Sequence, residues 1–125
     1  MSTTNAIRTT HGLEFEVSDH FKTIGVDDGY GWKGFRIGTC EGLWTQKVGA
    51  YRILAIMNNE PHNGHLEDVF EWFEHACRRD KMPLVVHEVS NPALARILLR
   101  RGFLPIFGTK EFKWDWNTKK AQSPT

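Results

Sequence analysis

The stretch Tyr51-Arg52-Ile53-Leu54-Ala55-Ile56-Met57-Asn58-Asn59-Glu60-Pro61-His62-Asn63-Gly64-His65-Leu66 decides how the rest of the chain folds. From Tyr51 to Met57 only Arg52 is charged, and such a continuous apolar run predicts a strand buried on both faces. Asn58 to His65 then forms a polar junction. A helix follows, because Leu66, Val69, Phe70, Phe73, Ala76 and Cys77 recur at helical spacing. Glu67, Asp68, Glu71 and Glu74 occupy its early turns, and Arg78, Arg79 and Lys81 lie at its end, an order that suits the helix macrodipole. Pro83 opens a second apolar strand, Leu84 to Val89. Together these make one β-α-β unit.

Upstream, Leu13, Phe15 and Val17 alternate with Glu14 and Glu16, which predicts a half-buried strand. Ser18 or Asp19 is expected to cap a short helical turn through Phe21 and Ile24. Gly25 to Gly34 holds four glycines and Asp27-Asp28 and reads as loop. Phe35, Ile37 and Thr39 begin a strand expected to end near Glu41-Gly42, with Leu43 to Val48 as hairpin partner and a break at Gly49. Downstream, Asn91 can cap a helix with Pro92 at its first position. Leu94, Ile97 and Leu98 supply its buried face, and Gly102 is placed as its C-terminal cap, with Phe103 folding back. Phe103 to Phe107 predicts a short strand interrupted by Pro105, and Phe112, Trp114 and Trp116 a closing one. The fold class is therefore α/β in the α+β sense: a mixed, mostly antiparallel sheet with packed helices. One domain is expected over residues 1–125, with loose ends at 1–4 and 117–125.

A chain of 125 residues buries roughly two-thirds of its unfolded surface and needs no staple to fold. Hydrophobic residues at 40% and charged residues at 25% exclude disorder for the bulk of the chain. Sixteen basic against fifteen acidic side chains leave a net charge of +1, which does not mark a DNA-coating or membrane-surface protein. Met1 to Thr10 lacks the apolar stretch of a signal peptide, and no apolar run is long enough for a bilayer. Cys40 and Cys77 are too few for a disulfide framework, so a reducing, cytoplasmic compartment is expected. Both read as small buried apolar residues.

The junction Asn58 to His65 leads a strand into a helix, where unsatisfied first-turn N–H groups favour an anion. A plain loop with an Asn or Gly cap is the competing reading. His62 and His65 with His75 do not supply the converging ligands of a metal site, and none is expected. His87 and Glu88, on opposite faces of one strand, could serve acid–base chemistry in a cleft. Alternatively Glu88 is solvated and His87 is a hydrogen-bonded sheet residue. Arginines at 78, 79, 96, 100 and 101 with five tryptophans raise a single-stranded nucleic-acid question. Arg100-Arg101 closes a helix, where cations suit the dipole, so that reading is not favoured.

From about Tyr51 to Trp116 the chain resembles the GNAT superfamily of N-acetyltransferases. Ile53 to Met57 is similar to that family's central strand, and Pro61-His62-Asn63-Gly64-His65-Leu66 to its pyrophosphate loop and helix start. Asn91-Pro92-Ala93-Leu94-Ala95-Arg96-Ile97-Leu98-Leu99-Arg100-Arg101-Gly102-Phe103 is the most specific match. The resemblance implies acetyl-CoA or another acyl-CoA as cofactor, with an amine as acceptor. It implies Ile56 and Met57 along the pantetheine arm. His62, Asn63, Gly64, His65 and Leu66 would surround the pyrophosphate, and Asn91 would lie near the thiol end. Glu88 or His87 would serve as the base. Pro61 stands where the family loop begins with Gln or Arg, Leu66 where it has a second Gly or Ala, and Leu98 where a Tyr often protonates the thiolate. These departures imply an alternative: a trimmed, inactive GNAT-like binding or structural protein, of the kind found among viral accessory and virion proteins, including those of phage. Trp114 and Trp116 would then serve a homodimer through the C-terminal strand.

Overall fold

The computed structural model describes residues 7–18 and 31–117. Among the described residues four strands come first: β1 (Phe15–Val17), β2 (Lys33–Ile37), β3 (Cys40–Lys47) and β4 (Ala50–Asn58). They are followed by α1 (His65–Asp80), β5 (Leu84–Val86), α2 (Pro92–Arg100), β6 (Leu104–Pro105) and β7 (Phe112–Trp114). The strands form one sheet in the order β1-β2-β3-β4-β5-β7-β6. Only β4 and β5 run parallel, as the crossover through α1 requires. The mixed, mostly antiparallel α+β architecture is thus the one the patterning predicts.

The hairpins differ in detail. Ile37 pairs with Cys40, so the chain turns at Gly38-Thr39 and not at Glu41-Gly42. Gly38 takes the left-handed φ +59 of the turn, and a Cβ there would stand 2.6 Å from both His65 and Leu13. Lys33 and Gly34 belong to β2 and not to the preceding loop. The expected helical turn through Phe21 and Ile24 lies outside the described residues, as do residues 1–4 and 118–125.

Helix α1 buries Val69, Phe70, Phe73, Ala76 and Cys77 completely against one sheet face. Phe35 and Ile37 of β2, Tyr51 and Ile53 of β4, and Leu84 and Val86 of β5 meet it there. A ring cluster extends this core: Phe15 stacks on Trp72 at 4.4 Å, and Phe73 meets Phe35 edge-on at 5.3 Å. Each such aromatic contact adds about 1 kcal/mol to plain burial. Helix α2 lies beside α1, with Phe103 against Phe70 and Trp114. Asn91 caps it by accepting from the Ala93 amide at 2.8 Å, and Gly102 at φ +96 lets the Phe103 amide return to the Leu98 carbonyl. Among the described residues no helix is long and apolar enough to cross a membrane.

Candidate functional site

The site begins with a break in β4. Leu43 of β3 pairs with Ala55 and the next residue, Trp44, pairs with Ile53, so Leu54 is one residue too many. Such a bulge bends and twists the strand that carries it. Gly42 makes room for it, since a Cβ at that position would lie 2.1 Å from the Ala55 carbonyl oxygen.

On its other side β4 pairs with β5 only from Tyr51 to Ile53. The His87 amide donates to the Ile53 carbonyl at 2.8 Å, and there the ladder stops. β5 ends at Val86, short of the expected Val89, because Glu88 adopts a left-handed backbone with φ +58. The Val89 amide then turns to the Lys110 carbonyl at 2.7 Å. His87 and Glu88 are therefore not two faces of a strand, as alternation suggested. The two central strands part, and a cleft of about 500 Å³ opens between them. The run from Tyr51 to Met57 is correspondingly buried on both faces only near its start, and Leu54 to Asn58 is half-buried or exposed.

Ile53, Ile56, Leu66, Val86 and Leu94 give the cleft apolar walls, while Asn58, His87, Glu88, Ser90 and Asn91 bring polar groups. Of the residues singled out in the sequence, Ile56, Leu66, His87, Glu88 and Asn91 line it. Met57, paired with Glu41 and 42% exposed, is not part of that lining.

His87 is held at both nitrogens. Its Nδ1 meets Glu111 at 3.0 Å and its Nε2 meets Arg52 at 3.3 Å. Arginine only donates, so Nε2 accepts and the ring is neutral with its proton on Nδ1. Burial pushes its pKa down, Arg52 adds to this, and Glu111 only partly opposes them.

The loop 59–64 is built around two asparagines. Thr39 Oγ1 donates to Asn58 Oδ1 at 2.7 Å and accepts from Asn63 Nδ2 at 2.8 Å. Asn63 Oδ1 accepts from the His65 amide at 3.0 Å, and His65 Nδ1 accepts from the Thr39 amide at 3.1 Å. The side chains of Asn63 and His65 are thus used inside the loop. His62 is exposed at φ +70, and Gly64 at φ +85 precedes the helix.

Sequence reasoning missed a segment at the other side of α1. The His11 amide and Nδ1 both reach Asp68, at 3.0 and 2.6 Å, and Asp68 is 2% exposed. Thr10 donates its amide and hydroxyl to Glu71, each at 2.9 Å. Burial pushes the Asp68 carboxyl up, but bonds from Thr9 and His11 outweigh it and hold the group below its usual range. Acidic residues in a first helical turn suit the dipole, and that reading hid their tertiary partners.

Elsewhere four of the five arginines named in the sequence have partners. Arg100 reaches Glu67 at 2.6 Å, Arg101 reaches Glu74 at 2.8 Å, Arg79 reaches Asp80, and Arg78 lies 4.8 Å over Trp114. Trp114 is 2% exposed, and β7 is paired on one side with β5 and on the other with β6. Trp114 is thus packed inside the fold, while Trp116 is half-buried. Cys40 and Cys77 are buried, which pushes both thiols up to about 12. Among the described residues no three His, Cys, Asp or Glu side chains could hold a metal ion. No protein-family model matches this chain, and neither does any curated protein or solved structure.

Proposed function

We propose that the chain is a GNAT-type N-acyltransferase that holds acetyl-CoA, or a longer acyl-CoA, in the cleft between β4 and β5. The observation that carries this reading is the parting of two central parallel strands after Ile53, beside a bulge at Leu54. An open strand edge inside a sheet presents N–H and C=O groups to a slender ligand that bears amides of its own. The pantetheine arm of coenzyme A is such a ligand, and the apolar walls suit its methylene groups. The cleft reaches Leu66 in the first turn of α1, whose N-terminal end favours a pyrophosphate.

The acceptor nitrogen attacks the thioester carbonyl, the carbon–sulfur bond breaks, and the departing thiolate takes up the proton that the amine loses. Holding both reactants in one cleft accounts for most of the acceleration. Glu88 is the carboxylate placed to take the ammonium proton. Its left-handed backbone costs about 1 kcal/mol or more, which points to a role for that conformation. His87 shapes the wall, since both of its nitrogens are engaged.

One observation favours the second reading, a binding protein without chemistry. Leu98, at the position where the family often carries its proton-donating tyrosine, is fully buried and has nothing to donate. Calorimetry with acetyl-CoA separates these ideas, using Ser90→Trp to fill the cleft from an exposed position. A micromolar Kd that the variant abolishes is expected. No binding at millimolar acetyl-CoA overturns the enzyme reading and leaves the second, a scaffold whose partner is met on its surface. Binding without release of free coenzyme A across a panel of amines selects the second.

A further inference from the structure

We propose that residues 9–13 form a positioning strap that sets the geometry of the loop 59–64 from the far side of α1. The inference rests on the reading of the cleft only for its effect on acetyl-CoA; its structural part stands alone.

The strap is a built feature. Thr9 closes a tight turn by accepting from the Leu13 amide at 3.0 Å, while the Gly12 amide donates to the Thr9 carbonyl at 2.9 Å. The turn is tied to α1 by carboxylates: Asp68 takes the His11 amide and ring, and Glu71 takes the Thr10 amide and hydroxyl. A buried carboxylate is costly unless paired, so Asp68 ties the position of the strap to that of the helix.

From the strap, close packing leads toward the cleft. His11 Cε1 lies 3.1 Å from where a Cβ on Gly64 would stand, and the rings of His11 and His65 are 5.8 Å apart. Leu13 Cδ1 and His65 Nδ1 both close on Gly38, each 2.6 Å from its absent Cβ. His65 holds the Thr39 amide, Thr39 holds Asn58 and Asn63, and Asn58 lines the cleft. The loop is thus pinned between the β2–β3 turn and the strap. Releasing the strap removes the packing behind His65 and Gly64 and leaves the rest of α1 on its aromatic core.

Two variants test this: Asp68→Asn, and the milder double variant Thr10→Ala/Glu71→Ala, whose contacts lie on the exposed rim. Hydrogen exchange of the amides at 62–66 is read against those of α2. Exchange there should rise about fivefold or more, with α2 unchanged, and the Kd for acetyl-CoA should rise by a comparable factor. If Asp68→Asn does not fold, the double variant decides. The proposal fails if amides 10–13 lose protection while 62–66 keep theirs, or if 10–13 stay protected in both variants. If the unaltered protein binds no acetyl-CoA, the reading of the cleft fails, and the exchange measurement still decides the strap.

Discussion

β4 has two neighbours and treats them differently. Toward β3 it pairs at eight positions, from Cys40↔Asn58 to Lys47↔Ala50, and toward β5 at three. The well-paired edge carries the bulge and the tight approach of Gly42; the other edge carries the cleft and the left-handed Glu88. The difference shows how a central strand can be left open on one side. Its position is set by β3 and by the core under Ile53, so the groups facing the cleft are available to a ligand.

The most damaging way to break this division is Gly42→Val. Its Cβ would meet the Ala55 backbone, which has no flexible end to swing away. Denaturant unfolding should show a loss of about 3 kcal/mol or more, at the upper end of overpacking effects. A loss under about 1 kcal/mol would mean that the β3 edge does not depend on this approach.

Glu88→Gly probes the opposite edge and should have the opposite sign. Glycine relieves the left-handed strain of about 1–2 kcal/mol but costs about 0.5–1 kcal/mol in unfolded-chain entropy, so a net gain of about 0.5 kcal/mol is expected. If stability instead falls by more than about 1 kcal/mol, the Glu88 side chain holds the turn together and is not a strained group reserved for function. Under the proposed acyltransferase reading, release of free coenzyme A should be lost in the same variant.

The smallest effect is in the pH dependence. His87 binds its proton less readily folded than unfolded, so the unfolded chain takes up more protons as pH falls through the ordinary histidine range. The stability of the protein should therefore fall as pH drops from 8 toward 5, and His87→Gln should flatten that slope. Equal slopes would show that the Arg52–His87–Glu111 arrangement does not hold the ring neutral.

Much of the fold was legible because burial imposes periodicity. Leu66, Val69, Phe70, Phe73, Ala76 and Cys77 announced α1, and Asn91, Pro92 and Gly102 marked both ends of α2. The cleft was legible only in part. Ile56, Leu66 and Asn91 came forward through the family resemblance and Glu88 as an acid–base candidate, yet nothing in Leu84 to Val89 marks the left-handed turn at Glu88. Leu54 looks like any apolar residue of a buried strand, because a bulge is a property of two strands and their register. Asp68 looked like a dipole-compensating acid, and only the fold shows that it meets His11 across 57 positions of sequence.

By itself the sequence determined, for the described residues, the type and order of the main elements, both ends of α2 and most of the α1 core face, because these follow from local periodicity and capping along one stretch of chain. The tertiary structure decided where β4 and β5 part, which side chains face the gap, and what holds the loop before α1. Those depend on pairing register and on contacts between residues far apart in the chain, and no local pattern encodes them.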